Sequence, residues 1–255
     1  MTFKNEKKYR WKDINGKDFF LPIIYLASNF ILSIMILVIL WAINISLGDS
    51  QFDSQFNDGI DSSSSIALLM EIAVFIFIML IWILFHKNSY KVEWKSGFDN
   101  IKKYWKLIVV TFIVMFIFKL IFPVLVDAFA PEQWKFEETQ NDLLVQQMFS
   151  TPFSTVLAFF SIVIIAPVTE EFLFRHLVIG ELGKKLNFIV MSVISVCVFA
   201  SLHVTEAQSP LEIVMYLVIA MGIVFIYLKT QRSLATAIAL HALNNFIAYV
   251  AMVLL

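Results

Sequence analysis

The sequence predicts an all-α, polytopic transmembrane bundle of about seven helices with its N-terminus in the cytosol. Three observations predict it. Hydrophobic residues make up 60% of the 255 positions and charged residues only 15%, with a mean hydropathy of +0.81; soluble domains carry about 25% charged residues. The apolar residues run in stretches long enough to cross a hydrocarbon core of about 30 Å. Basic and acidic loops alternate between those stretches, which the positive-inside rule reads as orientation. A net charge of −1 leaves no footprint for a nucleic-acid partner. Cys197 is the single cysteine, so no intrachain disulfide forms. With no cation beside it to favour the thiolate, it reads as a small packing residue.

In chain order, residues 1–18 form a basic tail with Lys4, Lys7, Lys8, Arg10, Lys12 and Lys17. The first helix is predicted over 20–47, too long for a signal-peptide core and without a clear cleavage site. An acidic, serine-rich loop over 48–65 follows, then a second helix over 66–86. Glu71 lies near the loop end of that helix and is read as snorkelling to the interface. The 87–106 segment interleaves six lysines with Trp94, Tyr104 and Trp105, the pattern of a juxtamembrane stretch on anionic headgroups. The third helix is predicted over 107–129. Its Lys119 either pairs with a bundle carboxylate or snorkels. The 130–150 segment is acidic, and Leu143, Leu144, Val145 and Met148 give it one apolar face for a short interfacial helix. Helices four to seven are predicted over 152–179, 186–203, 211–228 and 234 to the end. Apart from Lys119, Lys135 and Arg175, every Lys and Arg lies in the N-terminal tail, the 87–106 loop or the 184–185 and 229–232 turns. These are the cytosolic segments, and the acidic loops lie on the far side.

Within helix four, Thr169–His176 reads Thr-Glu-Glu-Phe-Leu-Phe-Arg-His. A charged side chain at mid-membrane costs about 2.5–3.5 kcal/mol on insertion scales. Folding alone does not require that cost, so intramembrane charges mark a site by default. Glu171 and Arg175 are four apart and share a helix face, as an ion pair requires. Glu170 points about 100° away and has no such partner. A structural salt bridge therefore accounts for Glu171 and Arg175 but not for Glu170. His203 ends helix five, where alone it reads as a headgroup-level residue. His241 lies inside helix seven with Asn245 one turn on, where alone it reads as an interhelical hydrogen-bonding group.

Together these residues resemble the CPBP family of intramembrane proteases, the CAAX prenyl endopeptidase and bacteriocin-processing (Abi) group. The resemblance rests on Glu170-Glu171-x-x-x-Arg175, Phe199-x-x-x-His203 and His241-x-x-x-Asn245, in family order, and covers about residues 152–250. It implies a scaffold over 1–150 and a catalytic bundle over 151–255. It implies that Glu170 activates water with help from His203, that His241 and Asn245 stabilise the oxyanion, and that Glu171 with Arg175 supports the helix. No cofactor is favoured. A divalent metal such as zinc, held by Glu170, His203 and His241, would suit a three-ligand open site, and the family is often termed metalloprotease, but the His-Glu-x-x-His helix signature is absent. His176, beside Arg175, is a spare candidate read as interfacial. The expected partners are membrane lipids and a membrane-associated or amphipathic peptide or protein substrate, in the cell membrane. The alternative is a non-catalytic scaffold or immunity protein of the same fold. A transporter with Glu170 as proton site is a third reading, for which the chain lacks paired inverted halves. Hydropathy leaves open which face the cavity opens to; the resemblance implies the cytosolic one.

Overall fold

The computed structural model describes residues 9–47 and 60–254, and these are helical with no strand among them. The calls on residues 1–8 and on most of the 48–65 loop lie outside the described residues. Eight helices organise the chain. They are α1 (Phe20–Leu47), α2 (Ile60–Phe85), α3 (Tyr90–Phe129), α4 (Gln140–Gln146), α5 (Pro152–Leu186), α6 (Phe188–Leu202), α7 (Glu212–Lys229) and α8 (Leu234–Leu254). Six are long and apolar enough to cross a membrane; α6, with 15 residues, falls short. At 1.5 Å per residue it rises only about 22 Å. His203 at its end and His241 of α8 nevertheless reach a common level, with both Nε2 atoms within 3.9 Å of the Glu170 carboxylate.

The third helix begins at Tyr90 rather than at 107, so the basic segment is its first five turns or so. Lysines pair with aromatic faces along it, as Lys103 does with Tyr104 at 5.0 Å from the ring centroid. The short helix expected near 143 is α4. Thr139 caps it by accepting from the Asp142 amide at 3.2 Å. Leu143 and Leu144 are exposed, whereas Val145 turns to the interior and lines a cavity.

The core is the seam between α3, α7 and α8, filled by Ile108, Met115, Ile219, Ile223, Tyr227, Ala237 and Leu240. Close approach there needs small residues, because lipid tails give no hydrophobic drive to pull helices together. Gly222 is one such position, where a Cβ would collide with the Met115 thioether. The turn from α5 to α6 is a single residue, Asn187, at φ 89°. Its side chain accepts from the Ile189 amide at 2.8 Å and so caps α6.

Two sequence expectations are corrected. Cys197 does not pack inside; it is exposed on the outer face of α6, where an apolar thiol costs nothing against lipid. Glu71 does not snorkel; it accepts a 2.6 Å hydrogen bond from Ser161 of α5. A neighbouring hydroxyl is a closer partner than the headgroup layer, so the bundle keeps the carboxylate.

Candidate active site

Helix α5 is not a regular α-helix. Wide π-type turns over Phe160–Ile165 and Phe172–Leu182 flank a short α segment, Ala166–Glu171, that carries both glutamates. Such turns occur mostly at functional sites. Pro167 helps cause the first of them: it has no N–H to offer the carbonyls one turn earlier. Asn245 of α8 repairs the defect, its Nδ2 donating to the Ile162 carbonyl at 2.9 Å. The second wide stretch is tied to α6, where the Ser195 hydroxyl donates to the Phe174 carbonyl at 3.0 Å.

The two glutamates face different surroundings. Glu171 is fully buried. Its Oε2 lies 3.0 Å from Arg175 Nε, and its Oε1 accepts from His241 Nδ1 at 2.8 Å. The Arg175 contact is a charge contact rather than an aligned hydrogen bond, since Nε, Nη1 and Nη2 have no hydrogen-bond acceptor among the described residues. The guanidinium is instead held over the Phe199 ring, 4.7 Å from its centroid, a favourable place for a cation. Glu170 is partly open, with a side chain 28% exposed. Its Oε2 is buried and accepts no hydrogen bond.

Both histidines turn Nε2 towards that bare oxygen, His203 at 3.8 Å and His241 at 3.9 Å. Their other nitrogens fix the tautomers. His203 Nδ1 lies 2.8 Å from the Phe199 carbonyl, which can only accept, so Nδ1 carries the proton. His241 Nδ1 faces the Glu171 carboxylate, and the same reasoning applies. The His203 ring is also clamped between Phe199 and Tyr216, with centroids 4.4 and 5.0 Å away and nearly parallel planes.

Glu170, His203, His241 and Asn245 line one cavity of about 100 Å³ between α3, α5, α7 and α8, as the ordered motifs predict. α4 covers it, contributing Asn141, Asp142 and Val145. The cover is tethered. Gln140 N–H donates to Glu212 Oε2 at 2.8 Å, and the Thr139 and Tyr216 hydroxyls share a 2.7 Å hydrogen bond. The cavity thus sits in the half of the bundle below the acidic 130–150 segment, away from the 184–185 and 229–232 turns.

The sequence reading missed three parts of this site. Tyr216, which stacks on His203, carried no signal among the apolar residues of α7. The Glu171–His241 hydrogen bond joins residues 70 apart. Lys119 is a cavity-lining residue, signalled only as a charge at depth. His176, the spare candidate, stands apart from the cavity: its Nε2 lies 2.7 Å from Asp18 Oδ2 in a cluster with Asn15 and His86. The glutamate–imidazole contacts are wider than a bound zinc would set them. Ligand atoms on a tetrahedral zinc stand about 3.3 Å apart for bonds near 2.0 Å, closer than Glu170 lies to either imidazole, and no group of three candidate ligands among the described residues is arranged to hold an ion.

The fold and this arrangement define the class: a polytopic membrane protein with a carboxylate–imidazole centre inside its bundle. Residues 152–247 match the family described as type II CAAX prenyl endopeptidase Rce1-like, a family of membrane proteases. The match spans α5 to most of α8 and leaves residues 1–151 outside. No curated protein matches the chain, and neither does any solved structure.

Proposed function

We propose that the protein is an intramembrane endopeptidase in which Glu170 activates the attacking water. One observation carries this reading: a buried Glu170 oxygen that accepts no hydrogen bond, faced by two imidazole nitrogens with no hydrogen-bond partner among the described residues. Contacts of 3.8 and 3.9 Å are too long for hydrogen bonds but leave room for one water within about 2.8 Å of each atom. Three polar partners suffice to hold it.

The two imidazoles then divide the work. His203, whose Nδ1–H is held by the Phe199 carbonyl, turns Nε2 to the water as an acceptor and helps Glu170 draw a proton from it. His241, whose Nδ1 is held by Glu171, turns its Nε2 to the same space. The water oxygen attacks the scissile carbonyl carbon and its proton passes to Glu170. The oxyanion is met by His241 and by the Asn245 amide N–H left free by Ile162. Glu170 returns the proton to the leaving nitrogen as the C–N bond breaks.

The acidic-side location of the cavity, combined with the positive-inside reading, supports an active site that faces away from the cytosol, and hence an extracytoplasmic membrane-associated or amphipathic peptide as substrate. This departs from the cytosolic opening implied by resemblance. The cell membrane is the location this reading proposes. The test is cleavage of an amphipathic peptide by purified protein in detergent. Activity is expected to survive a strong chelator and to be lost in Glu170→Gln. Loss on chelation with recovery on adding zinc would replace the metal-free step. Intact cleavage in Glu170→Gln would remove Glu170 as base. Peptide binding without cleavage would favour the non-catalytic scaffold.

A further inference from the structure

Among the described residues, Lys119 is the one Lys or Arg in the cavity lining. It sits ten residues before the end of α3, about 15 Å along the helix axis, between the apolar Phe118 and Leu120. Among the described residues it makes no hydrogen bond and no ion pair. The acids on the same lining are Glu170, which faces the two imidazoles, and Asp142 of α4. Neither is joined to Lys119 by an ion pair, whereas Lys135 outside the cavity contacts two acids, Asp127 and Glu132. Pro123 of the same helix has no N–H for the Lys119 carbonyl. A charged group at such a depth is costly unless something pairs with it.

We propose that Lys119 is a substrate-binding residue whose missing counter-charge is a carboxylate on the peptide, so that the cavity selects peptides by an acidic group lying on one side of the scissile bond. This rests on the endopeptidase reading of the same cavity. An ammonium is a compact point charge with three donors; in a low-dielectric cavity it binds a carboxylate through charge-assisted hydrogen bonds, roughly twice as strong as neutral ones. A peptide can supply that group from its C-terminus or from an Asp or Glu side chain. Because the interaction is made equally before and during the reaction, it governs KM rather than kcat.

The test uses the full chain in detergent and a short amphipathic peptide made in three forms: free C-terminal acid without acidic side chains, its C-terminal amide, and the amide carrying one internal Asp. Binding is measured on Glu170→Gln, so that turnover does not interfere, and cleavage on the chain with Glu170 intact. At least one carboxylate form is expected to bind roughly tenfold or more tighter than the plain amide. That preference is expected to vanish in Lys119→Gln and to be largely kept in Lys119→Arg, which also shows that the position tolerates change. Preference for the free acid identifies the C-terminus as the source; preference for the internal Asp identifies a side chain. In cleavage, Lys119→Gln is expected to raise KM with kcat little changed. Equal binding of all three forms, or a preference that survives Lys119→Gln, overturns the proposal. So does a preference that is lost in Asp142→Asn as completely as in Lys119→Gln, since Lys119 would then be acting through α4. Cleavage with no carboxylate preference would sink this subsite and leave the peptidase standing. Carboxylate-dependent binding without cleavage would do the reverse.

Discussion

Helices α1 and α7 are both apolar enough to span a membrane, yet they are used in opposite ways. None of the apolar window of α1 is buried in the bundle, against half of that of α7. Large side chains of α1 such as Phe30, Leu37 and Trp41 are well exposed. In α7, buried Glu212, Tyr216 and Tyr227 point inward, and two of them hold the α4 cover or clamp His203. The difference teaches where polarity is tolerated. Buried polar groups gather where neighbouring helices can meet them, as Glu71, Glu171 and Glu212 are met, and α5 to α8 enclose each other while α1 packs chiefly on α2 among the long helices. Chemistry is confined to the enclosed half because only there are partners available.

The comparison is broken most severely at Glu170. Glu170→Gln is expected to lower peptide cleavage by about 10²–10⁴-fold, the usual range for a general base. Folded yield should hold, because the buried Glu170 oxygen has no hydrogen bond to lose; size-exclusion profiles beside single-turnover rates check both. Arg175→Ala comes next. It leaves Glu171 buried without its cation, a penalty of about 3–5 kcal/mol, and the folded yield in detergent should fall. Full yield with normal activity would show that the enclosed half does not depend on this pair.

Asn245→Ala sharpens the comparison by separating its two contacts. As an oxyanion donor its loss should cut kcat by about 10²–10³-fold. As the partner of the Ile162 carbonyl its loss should cost about 1–3 kcal/mol of stability. Thermal unfolding measured beside kcat on the remaining folded protein assigns the weight to each. Glu71→Gln, at the contact between α2 and α5, keeps an acceptor for Ser161, and its expected cost is only about 1 kcal/mol. Phe30→Leu on the lipid face of α1 should change stability by less than about 0.5 kcal/mol, as surface substitutions do. A loss of several kcal/mol there would mean that α1 has a protein neighbour.

Much of this was legible in the chain itself. Hydropathy placed the helices, because spanning segments must be long and apolar. Loop charge gave their alternation. The order of Glu170, His203 and His241-x-x-x-Asn245 named residues that share a cavity, because charges are rare enough at depth to stand out singly. Those signals are local in sequence, and so the chain by itself determined them. What only the tertiary structure decided are relations between helices. No spacing shows that Glu171 reaches His241, that Tyr216 lies flat on His203, that Lys119 faces the cavity, or that Asn245 fills the place of the N–H that Pro167 lacks. Each depends on which faces of α3, α5, α7 and α8 meet. In a bundle of nearly uniform apolar helices, a residue-by-residue pattern does not encode that choice. It is set by close packing, by small residues such as Gly222, and by the need to give every buried polar group a partner.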